Sequence, residues 1–172
     1  MHFPRASVVL LTGSLCCALL RTNLVFAQRG DDGQTMEETQ SWLKSRLEGK
    51  SVLTDGTPAV NRTTSLGFDG CMADWRVDYK QGPERGISKV RLTLRASQLY
   101  RPVKVTSKGR VNPAYAVDFS PIPGSSGITA KLDGHNDSLR SVLVAESQVD
   151  AERIAQAFSR WIELCGGQED PH

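Results

Sequence analysis

The sequence contains few of the side chains on which metal centres and most enzyme active sites depend. Among its 172 residues there are three histidines, four cysteines and eleven aromatic residues. It has no nucleophile elbow, no His-Glu-x-x-His zinc motif and no glycine-rich phosphate loop. His135 lies among carboxylates and a hydroxyl in residues 133–138, but this run is typical of an exposed turn rather than of a sheltered catalytic base. The sequence therefore predicts no enzymatic activity, no catalytic residue, no metal and no cofactor.

Long apolar runs are also scarce, and the clearest one is near the N-terminus. Residues 8–20 form an apolar run of about 13 residues, whereas a membrane-spanning helix needs about 20. An arginine precedes this run, and Val25 and Ala27 occupy the −3 and −1 positions of a secretory cleavage site. We therefore expect residues 1–27 to be a signal peptide cleaved between Ala27 and Gln28, with a retained N-terminal anchor as the alternative. The mature chain is then expected in the periplasm or outside the cell, without a transmembrane segment.

Cysteine usage agrees with export. Once residues 1–27 are removed, Cys71 and Cys165 remain, and two cysteines in an exported chain favour one disulfide bond. Two separate buried thiols are the alternative.

In the mature chain we expect a flexible leader over residues 28–34, a single globular domain over residues 35–166 and a disordered tail over residues 167–172.

The periodicity of apolar residues predicts a first helix followed by strands. Thr35-Met36-Glu37-Glu38 has the form of a capping box, and Gly49 is expected to end the helix. Residues 51–61 are predicted to be a loop. A period of two begins at Arg62, and Asp69-Gly70 is expected to form the first hairpin turn. After the strand that precedes this turn, six more are expected, over residues 71–80, 87–95, 101–106, 114–119, 128–132 and 139–145.

A second helix is predicted at the end of the chain. Asp150 is a suitable N-cap. Ile154, Phe158, Trp161 and Cys165 follow at spacings that place them on one helical stripe, and a pair of glycines ends the pattern. The sequence therefore predicts that this amphipathic helix buries its apolar stripe against the strands.

This order of elements resembles the pleckstrin-homology-like (PH-like) superfold, and Trp161 resembles the inward tryptophan of its C-terminal helix. The resemblance implies an α+β fold, mainly antiparallel β, in which about seven strands form a bent sheet or partial barrel and the C-terminal amphipathic helix packs on it. An N-terminal helix is added to that pattern. The layout is also similar to uncharacterised secreted bacterial proteins. Two helices on one face of an open antiparallel sheet, and a small lipocalin-like barrel, are the alternatives.

Charge is nearly balanced overall, with 21 basic and 19 acidic residues, but residues 76–110 contain ten basic and two acidic ones. The alternation places Lys89, Arg91 and Arg95 on the solvent face of one strand. We expect Lys104 and Lys108 to lie near them across the next hairpin. These five residues are candidates for binding an anionic surface, glycan or protein, whereas the balanced total predicts no nucleic acid partner. Alternatively, the exposed strands carry basic residues to discourage aggregation.

The sequence thus predicts an exported, non-enzymatic binding or interaction module whose ligand it does not specify. A small periplasmic enzyme or inhibitor with an unrecognised site, and a structural protein of the cell envelope, are the alternatives. The oligomeric state is left open.

Overall fold

The computed structural model describes residues 33–54, 59–80, 86–109 and 113–171. The expected signal peptide, its cleavage site and most of the expected leader lie outside the described residues, as do residues 55–58 and 81–85 of the expected connections. The chain divides into the units Met1–Gly33 and Gln34–His172. All the elements below belong to the second unit.

The described elements of this unit are two α-helices and eleven β-strands, with one 3₁₀ turn at Ala96–Gln98. In chain order they are α1 (Met36–Leu47), β1 (Ser51–Thr54), β2 (Ala59–Asp69), β3 (Met72–Lys80), β4 (Ile87–Arg95), β5 (Tyr100–Arg101), β6 (Lys104–Lys108), β7 (Ala114–Asp118), β8 (Ile128–Leu132), β9 (His135–Asp137), β10 (Ser141–Ala145), α2 (Gln148–Leu164) and β11 (Gln168–Glu169).

Helix α1 begins at the predicted capping box. The backbone N–H of Glu38 donates to Thr35 Oγ1 at 3.2 Å, and the backbone N–H of Thr35 donates to Glu38 Oε2 at 2.9 Å. These bonds satisfy two N–H groups that the first turn of a helix leaves without partners. The helix ends at Leu47, and Gly49 adopts a φ of +72° just after it. The predicted start and end of α1 are therefore confirmed.

The strands form a largest sheet of six, in the order β1-β2-β3-β4-β8-β9, and a second sheet of three, in the order β10-β7-β6. Both are antiparallel throughout. The third sheet consists of β5 and β11, which are parallel. Within the described residues no sheet closes into a barrel. The predicted α+β class with mainly antiparallel β structure is confirmed, as an arrangement of open sheets with two helices.

The predicted loop over residues 51–61 is wrong. Strand β1 pairs with β2 there, with Val52 opposite Asn61. Val52 is buried, and the backbone N–H of Leu53 donates to Glu146 Oε1 at 3.1 Å. Strand β1 has only four residues, and its contact with Glu146 comes from a segment that is distant in the sequence, so local periodicity gave no sign of this strand.

The predicted positions of the first hairpin turn and of the N-cap of α2 also shift by a few residues. The first hairpin turn is Gly70-Cys71, because Asp69 pairs with Met72, and Gly70 adopts the positive φ of +54°. Helix α2 is capped by Ser147 rather than Asp150. Ser147 Oγ accepts a bond from the backbone N–H of Asp150 at 3.4 Å.

The C-terminal segment contains a short strand, β11, within the tail that the sequence predicts to be disordered. Strand β11 pairs with β5, and the backbone N–H of Asp170 donates to the carbonyl oxygen of Arg101 at 2.7 Å. Asp170 also forms an ion pair with Lys104 at 2.8 Å. Backbone pairing and this ion pair hold a polar segment that has little apolar surface of its own.

Helix α2 packs its apolar stripe against residues from both larger sheets. Phe158 stacks on Trp75 of β3 at 5.4 Å between ring centroids and meets Phe119, just after β7, edge to face at 5.1 Å. Trp161 meets Phe68 of β2 at 5.3 Å. Burial of large aromatic side chains is a main source of folding free energy. The predicted closing helix therefore completes the core.

The turn between β2 and β3 is tied to both helices. A disulfide joins Cys71 to Cys165 over 94 residues, with 5.6 Å between the Cα atoms, so the predicted disulfide is confirmed. The carbonyl oxygen of Gly70 accepts hydrogen bonds from Gln40 Nε2 at 2.7 Å and from Trp161 Nε1 at 3.2 Å. We call this region the closed end of the fold.

Candidate functional site

The exposed side of the six-stranded sheet carries basic side chains on four neighbouring strands. In β3 and β4 buried residues such as Trp75 and Leu92 alternate with residues that are more exposed to solvent. Strand pairing extends this exposed side to β2 and β8. We call it the outer basic face, and its basic residues are Arg62, Arg76, Lys80, Lys89, Arg91, Arg95 and Lys131.

Three of these cations form one row across the strands. Arg76 pairs with Arg91, and Arg91 pairs with Lys131. Like charges directly opposite each other destabilise a sheet. Asp74 offsets part of this repulsion, because Arg91 donates to both of its carboxylate oxygens, at 2.9 and 2.8 Å, and Arg76 approaches within 3.4 Å. The hydrogen bonds to Asp74, and then the charge of that carboxylate, raise the pKa of Arg91.

The two exposed lysines of the outer basic face, Lys89 and Lys131, have no such counter-ion. In the part of the chain that the structure describes, no carboxylate oxygen lies within 4 Å of the amine of Lys89 or Lys131. The carboxylate of Asp133 instead accepts a bond from the backbone N–H of Lys89 at 2.7 Å. This bond, with a second from the side chain of Ser88, lowers the pKa of Asp133. The two amines are thus available to an anionic ligand.

The structure separates the five predicted binding residues. Lys89, Arg91 and Arg95 share the outer face of β4, as expected, and Arg95 Nη1 donates to Ser126 Oγ at 2.8 Å. Lys104 and Lys108 do not lie beside them. Strand β4 pairs with β3 and β8, whereas β6 pairs with β7 in the other sheet, so the expectation of a shared face is wrong for these two.

The predicted reading of His135 as exposed is consistent with its place in β9 at the edge of the six-stranded sheet. Across the described residues, no three His, Cys, Asp or Glu side chains are grouped as a metal site requires. Neither described helix is long and apolar enough to cross a membrane.

A cavity of about 560 Å³ is lined by residues of both larger sheets. This volume falls within the range of small-molecule sites, about 300–1,000 Å³. Buried valines, Val77, Val90 and Val142, form part of its apolar wall, and Lys108 and Lys131 are among its polar residues. We call it the open-end pocket, because it involves the end of β3 that is farther from Cys71.

Sequence reasoning missed several residues of these two surfaces. Lys131 belongs to a strand whose alternation was recognised, but its pairing with Arg91 depends on the non-consecutive contact of β4 with β8. Asn61 lines the open-end pocket, although its segment was predicted to be a loop. Counting back in twos from the buried Leu66 would place Asn61 on the outer side, and the register shift between Thr63 and Ser65 brings it to the inner side instead, so no signal in the sequence indicates it.

Comparison with known proteins gives no family model, no curated protein and no solved structure that matches this chain.

Proposed function

We propose that the protein is an exported, non-enzymatic binding module that docks an anionic partner on its outer basic face. The observation that carries this proposal is the row of Arg76, Arg91 and Lys131, in which one carboxylate pairs with two of the three cations. A sheet holds these charges at fixed spacing. A polyanion would therefore relieve their repulsion and release its own counterions on binding.

Two further observations support the proposed export and the proposed PH-like arrangement. The Cys71–Cys165 disulfide favours export, because disulfides persist in oxidising compartments. A PH-like arrangement is supported by the order of the elements, in which seven strands of five or more residues precede α2. The pairing of β4 with β8 departs from a simple consecutive order, so the PH-like arrangement is proposed at the level of element order.

The test is retention on a heparin column, with a variant that removes three cations and leaves the Arg91–Asp74 pair in place. Arg76→Gln, Lys89→Gln and Lys131→Gln are combined in one chain. We expect this triple variant to elute at a clearly lower salt concentration than the unmodified protein, because each cation lost reduces the number of counterions released.

The matched control is the triple variant Lys44→Gln, Arg140→Gln and Arg153→Gln, which removes the same charge from exposed positions outside the outer basic face. We expect its elution to stay near that of the unmodified protein. Equal retention of the two triple variants would show that net charge alone governs binding, and it would overturn the proposal. A second arm with anionic lipid vesicles then distinguishes a membrane surface from a glycan.

A further inference from the structure

The open-end pocket has an apolar wall and a set of polar groups that are mainly donors. This wall is aliphatic, because buried valines from β3, β4 and β10 form part of it. Tyr79 is its aromatic lining residue. A pocket of this size with an aliphatic wall favours a small molecule with an extended apolar body.

One polar residue of the pocket has an unmet hydrogen-bonding requirement. Asn61 lies opposite Tyr79 and Val52 in its two neighbouring strands, and therefore on the inner side of the sheet. Its Nδ2 is buried and has no hydrogen-bond partner among the described residues. Leaving a buried donor unpaired costs folding free energy.

The next residue of β2 on the inner side, Thr63, differs from Asn61 in this respect. Thr63 is also a buried polar residue, but its Oγ1 accepts a bond from Trp75 Nε1 at 3.0 Å. Asn61 has no equivalent neighbour for its nitrogen. Because the terminal torsion of asparagine is soft, this nitrogen can turn toward an acceptor placed in the pocket.

The charges at the pocket point to the same kind of ligand. Within the described ranges, neither Lys108 nor Lys131 has a carboxylate within 4 Å of its amine. Asp137 is the one acidic residue of the lining, and its Oδ1 already accepts a bond from the backbone N–H of Leu139 at 2.9 Å. The pocket therefore offers more donors and positive charge than it can satisfy internally.

We propose that the open-end pocket binds a small amphipathic carboxylate. The aliphatic body lies against Val77, Val90 and Val142, and the carboxylate accepts hydrogen bonds from Asn61 and Lys108. This ligand supplies what the pocket lacks, which is a compact anionic acceptor joined to an apolar body. The proposal concerns a site other than the outer basic face, because Lys131 pairs with Arg91 and its side chain belongs to the outer side of the sheet.

The first experiment compares three twelve-carbon probes by calorimetry, each below its aggregation concentration. The probes are dodecanoate, dodecanol and dodecyltrimethylammonium, which share an apolar body and differ in the charge of the head group. We expect saturable binding of dodecanoate at one site, with dodecanol at least tenfold weaker and the cationic probe weaker still. Absence of dodecanoate binding, or binding of all three probes alike, would overturn the proposal.

The second experiment uses Asn61→Leu, for which affinity and stability should change in opposite senses. Removing the unpaired amide should leave the thermal midpoint unchanged or raised, while dodecanoate affinity falls about tenfold because a bond to a charged group is lost. Asn136→Leu, at an exposed position of β9, is the control and should keep full affinity.

A third variant, Lys108→Gln, keeps the test valid if Asn61→Leu folds poorly, because Lys108 is exposed and makes no ion pair among the described residues. We expect a severalfold loss of dodecanoate affinity and unchanged heparin retention. Heparin retention thus reports on the outer basic face, and dodecanoate affinity reports on the pocket, so either proposal can fail alone. Full dodecanoate affinity in both Asn61→Leu and Lys108→Gln would overturn the pocket proposal.

Discussion

The two ends of strand β3 lie in contrasting surroundings. At its start, the closed end holds a disulfide, two side-chain hydrogen bonds to one carbonyl oxygen and a cluster of buried aromatic rings. Toward its other end, Val77 and Tyr79 line a cavity of about 560 Å³, and Asn61 has a buried nitrogen without a partner in the described part of the chain. The same strand thus passes from tight packing to a pocket.

We expect the closed end to contribute mainly to the stability of the fold and the open end mainly to ligand binding. Side chains of the closed end satisfy one another, and changes there should mainly alter the free energy of unfolding. The open end retains space and unmet polar groups, features that proteins tend to keep where a ligand supplies the missing contacts. The predictions that follow move from the closed end to the open end, in order of decreasing effect.

Trp161→Ala should cause the largest loss of stability. Trp161 is fully buried, contacts Phe68 and donates to the carbonyl oxygen of Gly70. Its truncation should lower the free energy of unfolding by about 3–5 kcal/mol through cavity formation, as measured by urea denaturation. Trp42→Ala in α1, where the ring is half-buried, is the control and should cost less than about 2 kcal/mol. Equal losses would mean that α2 does not close the core.

Removal of the disulfide by Cys71→Ala with Cys165→Ala should have the next largest effect. The bond closes a loop of 94 residues, and its loss should lower the free energy of unfolding by about 2–4 kcal/mol, chiefly by freeing the unfolded chain. A reductant should bring the unmodified protein to the same stability and leave the double variant unaffected. A double variant as stable as the oxidised protein would contradict this account of the closed end.

Asp133→Asn, in the β8–β9 turn near the open end, should have a small effect that depends on pH. The pKa of Asp133 is lowered in the folded protein, first by the bond from the backbone of Lys89 and then by that from Ser88. Its carboxylate therefore stabilises the fold above the pKa of the unfolded chain, and this contribution disappears as pH falls through the lower folded pKa.

Denaturation curves between pH 2 and pH 7 check this prediction. The unmodified protein should be the more stable of the two at neutral pH, and the gap should close below about pH 4. Asp78→Asn removes the same charge from the outer basic face and is the matched control. A gap that stays constant, or widens, as pH falls would contradict the prediction.

Local patterns in the sequence were sufficient for several elements. The alternation of apolar residues gave strands β4 and β8 with the bounds that the structure has, and helical spacing gave the buried stripe of α2. The pairing of Cys71 with Cys165 followed from cysteine usage. Each of these inferences depends on a short segment or on the count of one residue type.

Contacts between distant segments could not be predicted in the same way. Glu146 bonds to the four-residue strand β1 from 93 residues away, and β11 forms because it pairs with β5. Lys104 and Lys108 are separated from β4 because the second neighbour of β4 is β8 and not β6. The open-end pocket is formed by residues from both sheets, so no single segment of the sequence shows it.

The carbonyl oxygen of Gly70 has a consequence for how the polypeptide acquires its structure. This atom receives bonds from a helix that precedes the first hairpin and from a helix near the end of the chain. During synthesis the ribosome releases the strands before α2, so Trp75 and Phe119 stay uncovered until that helix emerges. Formation of the native core therefore requires α2, and until that helix is released the uncovered rings are a hydrophobic surface that chaperones can bind.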